Sequence, residues 1–200
     1  MRNERTLVQA ARIGLFGIAM LVGMFIPSRS DAGHDQRRVI EFLGFKNDGK
    51  QYLLMIRDEQ MGTFLSVRDF ETGKQVKGYP IENPQDEKAL TEEVVKKHRI
   101  TDPGTASQAS PDGTYTIIGV PRGIRFDLNV LRGNRSARLK TLKVETGASG
   151  PATVTLKGVH WSQDGHRIVV ILHKVLKDEN GLDMDEALPF LFFASNLSFQ

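Results

Sequence analysis

The sequence predicts an all-β domain with one helical insert. Three blade-like antiparallel meanders pack as a partial propeller or a sandwich, behind an N-terminal signal peptide. Three observations predict this. An Asp-Gly turn followed by an apolar, β-branched run occurs three times. A single helical pattern separates the first two occurrences. The chain opens with arginines and then an uncharged apolar run. At 200 residues, 40% hydrophobic and 26% charged, the composition suits one folded domain and a leader.

Residues 1–32 read as the leader. Arg2, Arg5 and Arg12 form a positive start, Ile13 to Ile26 is a run of 14 uncharged residues, and Pro27 breaks it. Ser30-Asp31-Ala32 places small residues where a signal peptidase reads them, with cleavage before Gly33. A helix of that run spans roughly 21 Å, short of a hydrocarbon core of about 30 Å. The alternative is an uncleaved anchor. The chain has no cysteine, which excludes disulfides, a lipoprotein anchor, cysteine nucleophiles and thiolate zinc sites. Its net charge of +3 falls to +1 for residues 33–200, which hold 23 basic and 22 acidic residues. Global charge therefore gives no argument for a polyanionic partner.

The three turns are Lys46-Asn47-Asp48-Gly49, Ser110-Pro111-Asp112-Gly113 and Ser162-Gln163-Asp164-Gly165. Glycine takes the left-handed position, proline presets φ for the first turn position, and aspartate bonds the backbone ahead. A type I turn closed by such a glycine predicts a three-residue hairpin loop. The runs after the turns, 51–56, 115–120 and 168–172, are apolar on both faces and are the expected core strands. Trp161 and Tyr52 belong to that core.

The units extend over about 38–81, 105–147 and 152–195 within one β-rich domain, 33–200. In the first, 63–70 and 75–81 are further strands around the turn Glu71-Thr72-Gly73-Lys74. The second contains an alternating strand at 124–130, then 139–144. The third contains 153–162, 166–174 and a late strand at 188–194.

The Ser-Pro-Asp-Gly turn at 110–113, its two variants and Val67-Arg68-Asp69-Phe70-Glu71-Thr72-Gly73-Lys74 resemble blades of TolB-type β-propellers. The order of leader, blade, helical insert and two degenerate blades is also similar to predicted secreted bacterial proteins of unknown function. The resemblance implies a blade-like fold and no activity. Three units fall short of the four to eight that close a ring. The aspartate spacings of 64 and 52 also exceed the usual blade period.

The first interval holds a helix over about 85–98. Ala89, Leu90, Val94 and Val95 form its apolar stripe. Asp86 at its start and Lys97-His98-Arg99 at its end suit the helix dipole. Such a helix caps an open sheet face or an edge strand.

No serine elbow, phosphate loop, dinucleotide fingerprint or His-Glu-x-x-His motif is present. Three constellations remain. His160, Asp164 and His166 flank the third turn; with a three-residue loop His160 pairs opposite Ile168 and shares a face with His166, while a one-residue slip separates them. Residues 178–186 hold five carboxylates at the density of a calcium loop but without its spacing, and read otherwise as a hairpin tip. Arg122, Arg125, Arg132, Arg135 and Arg138, with Lys140 and Lys143, oppose one acid, Asp127, and form a candidate binding surface for an anionic envelope polymer or protein. Nucleic acid is excluded by export and by the scarcity of aromatics there. The basic segment and the acidic loop are also able to pair with each other.

Three functions follow. The leading one is an exported, non-enzymatic, periplasmic or extracellular β-domain that binds or organises a partner, with no cofactor and no membrane span after cleavage. The second is a structural subunit that completes a sheet with another chain. The third, a metal-dependent hydrolase, requires the histidines or the acidic loop to converge in one pocket.

Overall fold

The computed structural model describes residues 36–147, 150–177, 183–197 and 199. The leader, His34 and residues 178–182 of the acidic loop lie outside them. The strands are β1 (Gln36–Lys46), β2 (Gln51–Asp58), β3 (Gly62–Asp69), β4 (Gln75–Ile81), β5 (Ile100–Asp102), β6 (Thr105–Ala106), β7 (Thr116–Arg122), β8 (Arg125–Arg132), β9 (Arg135–Lys143), β10 (Thr146–Gly147), β11 (Gly150–Pro151), β12 (Thr153–Trp161), β13 (Arg167–Lys177) and β14 (Asp183–Phe193). One helix, α1 (Glu87–His98), lies between β4 and β5. Among the described residues the domain is thus mostly antiparallel β with a single α-helix. No helix among the described residues is long and apolar enough to cross a membrane.

The first and third units are not separate sheets. They join in one sheet of order β4-β3-β2-β1-β14-β13-β12-β6, with β5 also on β1. The joint is a short parallel pairing in which Gln36, Arg37 and Arg38 lie opposite Met184, Asp185 and Glu186. The second unit forms its own sheet, β7-β8-β9, with three strands.

Alternation along β13 explains the layering. Ile168, Val170 and Leu172 pack with Ile117, Phe126, Leu128 and Val130 of the second unit. Val169 and Ile171, on the opposite face, pack with Phe42, Tyr52, Leu54 and Ile56 of the first. All five β13 residues are buried, as an uninterrupted apolar run predicts for a strand covered on both sides. The layers therefore run α1, β1–β4, β12–β14, β7–β9, with the third unit between the other two.

Residues 52–56 are buried by the same logic, because Leu53 and Met55 face α1. Trp161 and Tyr52 are core. The run 115–120 departs from expectation: only Ile117 is fully buried. β7 is an edge strand whose outer face has no covering layer among the described residues, so Ile118 and Val120 stay half-buried and outside the core clusters.

A short 3-10 turn, Pro84–Asp86, leads into α1, and the Asn83 side chain accepts the Gln85 N–H. Val94, Leu90 and Val95 pack on the open face of β2 and β3. Ala89 is exposed, contrary to the predicted stripe; Glu87, Thr91 and His98 take the flanking positions instead. Arg99 closes the helix in the left-handed region at φ 53°.

Candidate functional site

All three Asp-Gly turns form as one local structure. Gly49, Gly113 and Gly165 have φ between 65° and 70°. Each donates its N–H to the carbonyl three residues back, Lys46, Ser110 and Ser162, at 2.7 to 2.9 Å. In each, the aspartate carboxylate accepts the N–H two residues on: Lys50, Thr114 and His166. That second bond holds one more residue in the loop than the glycine alone requires. Ser110 and Ser162 consequently donate to Tyr115 and Arg167, closing four-residue loops in place of the predicted three.

The extra residue changes the register. His160 lies opposite Val169, and Trp161 opposite Ile168. His160 turns toward the first unit, stacks on Phe42 at 4.6 Å between ring centroids, and has its pKa lowered by burial. His166 stays exposed at the turn. The carboxylate of Asp164 accepts from Ser162 Oγ, the His166 N–H and Arg167 Nη1. Burial acts to raise its pKa, but these donors and the guanidinium outweigh it and hold the carboxyl below its ordinary value. The structure therefore separates the histidine pair. No group of three His, Cys, Asp or Glu side chains among the described residues is placed to hold a metal.

The turns lie together at one end of the molecule. Arg167 spans the first and third, reaching Asp164 at 2.9 Å and the Asp48 carbonyl at 3.5 Å. The second and third flank a cleft of about 430 Å³ that Asp112, Tyr115 and His166 help to line. Asp112 accepts from the Ser110 and Thr114 hydroxyls and the Thr114 N–H, which lower its pKa to about 2. Its acceptor capacity is thus taken up inside its own turn.

The acidic segment is corrected where it is described. Residues 183–186 begin β14 and are not a loop tip. Asp185 pairs with Arg37 and His173, and Glu186 with Arg38 and Lys174. The basic segment takes no part in this.

The basic residues fall in two places. Arg122 and Arg125 flank the β7–β8 hairpin; Arg132 and Arg135 flank the β8–β9 hairpin at the other end of the sheet. Seven residues of extended strand separate those ends, about 23 Å. Strand alternation then sorts the faces. Phe126, Leu128 and Val130 point into the core, so Arg125, Asp127, Asn129 and Leu131 point outward. Cross-strand register adds Arg122 from β7, and Arg138, Thr141 and Lys143 from β9, to that outer face.

Asp127 is the centre of this face. Its side chain is only 4% exposed, although it points away from the core. Arg122 Nε lies 3.2 Å and Arg138 Nε 3.7 Å from Oδ2, and Thr141 Oγ1 donates to Oδ1 at 2.6 Å. The two guanidinium groups lean over the carboxylate while their side chains stay more than half exposed. In the sequence Asp127 stands out only as one acid among cations. The signal that locates it is a lone acid inside the alternation Phe126-Asp127-Leu128, with arginines at diagonal positions on the two neighbouring strands. At the far end Arg132 lies over the Tyr115 ring, 5.7 Å from its centroid. The result is an open sheet face with fixed cations and donors, suited to holding an anion and lacking any nucleophile–base pair.

No family model, curated protein or solved structure matches this chain.

Proposed function

We propose that this protein is an exported, non-enzymatic β-domain that binds an anionic partner of the cell envelope through the outer face of β7–β9. One observation carries the reading. Arg122, Arg125, Arg138 and Lys143 share that face with a single carboxylate, which is already sealed beneath two of them. The site's net positive charge is therefore local and oriented, although residues 33–200 are near neutrality as a whole. Half-buried Ile118, Val120 and Leu131 between the cations give the same face an apolar component.

The blade-like reading supports this function without defining it. The four-strand meander β1–β4, the shared turn chemistry and the face-to-face layering suit a partial propeller of the TolB type. Blades of that kind present loops and outer strands from a rigid stack.

The test uses the purified protein, lipopolysaccharide vesicles and polyglutamate as probes. Binding should weaken steeply between low and physiological salt. Arg125→Glu with Lys143→Glu, which leaves the cover of Asp127 in place, should reduce affinity by about tenfold or more, since two exposed cations become anions. Unchanged affinity in that variant overturns the proposal.

A further inference from the structure

The edge of β9 combines three features that no other edge of the molecule combines among the described residues. First, it is long and unpaired. β9 has nine residues, about 30 Å of strand, and pairs only with β8. It contains neither proline nor glycine, reading Arg-Ser-Ala-Arg-Leu-Lys-Thr-Leu-Lys. β9 carries one bulge, at Leu139, between the pairs Leu128–Lys140 and Asn129–Arg138. The other long edges hold glycine or proline or are partly covered: β4 carries Gly78 and Pro80, β7 is bridged to Ala109 and ends in Pro121-Arg122, and β12 contains Gly158 and is closed at one end by β6.

Second, it is cationic. Arg135, Arg138, Lys140 and Lys143 are all exposed. Such charges normally blunt an edge against sheet-to-sheet association. They do so only against a neutral or cationic strand. Two β9 edges repel each other, whereas an acidic strand is attracted.

Third, it borders a cleft of about 350 Å³. Ala137, Arg138 and Leu139 of β9 form one wall; Leu191, Phe193 and Leu197 stand across it. A strand added beside β9 would direct alternate side chains into that cleft and the others toward Thr141 and Lys143 on the outer face. Main-chain pairing supplies affinity in this mode, and pockets for alternate residues supply specificity.

We infer that β9 accepts an extended acidic segment of a partner protein, with apolar residues alternating with carboxylates, as a fourth strand of the second unit. The inference rests on the proposed anionic-partner reading and names that partner's chemistry. It also supplies the second unit with the strand count of the first.

The experiment measures fluorescence anisotropy with a labelled nine-residue peptide of alternating Glu and Leu or Val. A second peptide has the same sequence with alternate backbone nitrogens methylated on the edge that would face β9. Hydrogen exchange of the β9 amides is followed in parallel. Strand addition is supported if the first peptide binds, alternate β9 amides gain protection, and methylation weakens binding by about tenfold or more, since several backbone bonds are lost together. Lys143→Glu, on the outer face that would receive the carboxylates, should also weaken the first peptide. Equal binding of both peptides, or binding of lipopolysaccharide vesicles and polyglutamate without either peptide, overturns strand addition and leaves the anionic-partner reading standing. Failure of every anionic probe overturns both.

Discussion

The guanidinium of Arg167 occupies the space above the α-carbon of Gly49, so a methyl group added there would overlap it. The first and third Asp-Gly turns are held together at that point. Arg167 donates to Asp164 within its own hairpin and to the Asp48 carbonyl across the gap. A glycine required for its φ of 65° is thereby also required for its lack of a side chain.

Gly49→Ala and Gly165→Ala separate these two requirements. Both place alanine in the left-handed region, at a cost of about 1–2 kcal/mol. Gly165 faces open space, whereas Gly49 faces Arg167. Gly49→Ala should therefore cost about 0.5–1 kcal/mol more, the scale of a partly exposed ion pair and its contacts. Urea unfolding checks this, and Arg167→Ala should remove the difference. Equal costs in the two alanine variants would show that Arg167 swings aside freely.

Asp127 gives a second prediction. Asp127→Ala removes the acceptor of Thr141 and leaves Arg122 and Arg138 facing each other without a counter-charge. A loss of about 0.5–1.5 kcal/mol is expected, the usual net worth of a hydrogen bond whose donor is exposed and returns to water. Asp127→Asn retains an acceptor for Thr141 and should lose less. If both variants match the parent in thermal and urea midpoints, the carboxylate does not organise the face.

His160 gives a third, in the pH dependence. Burial against Phe42 lowers its pKa from the ordinary 6.5, so the folded state binds the proton less readily than the unfolded chain. Stability is then full above about pH 6.5 and falls as pH drops through that value toward the folded pKa. His98 shifts in the same direction, through burial first and then Lys97 and Lys46, and adds to the decline. His160→Phe keeps the ring stack without the proton site. Its stability should fall less than the parent's between pH 7 and pH 5, with the His98 part remaining. Parallel curves for the two proteins would refute the assignment.

The turns and the doubly covered strand were legible because their causes are local. Asp-Gly sets the left-handed position, and five apolar residues in a row at 168–172 require cover on both sides. The register was not legible from glycine alone, because the carboxylate bond to the N–H two residues on enlarges the loop. That single residue moved His160 from the turn cluster to Phe42. The run at 115–120 resembles 168–172 in composition, but its burial depends on how many layers surround it. Residues 183–186 read as a solvated tip because two of their partners, Arg37 and Arg38, come from far away in the sequence, and His173 and Lys174 meet them only once the β13–β14 register is set. The joint between β1 and β14 has no signature in either segment.

The third unit lies between the first two, although it is synthesised last. When the ribosome has made residues 36–147, Leu54 and Ile56 lack Val169 and Ile171, and Leu128 and Val130 lack Val170 and Leu172. Both early units expose their inner faces until β13 and β14 have emerged. The native core therefore closes only once β13 and β14 have been made, from contacts distant in sequence, which is the regime of slow folding. A chain truncated before Ile168 loses the strand that the other two layers share, so its remaining units have no common core to collapse upon.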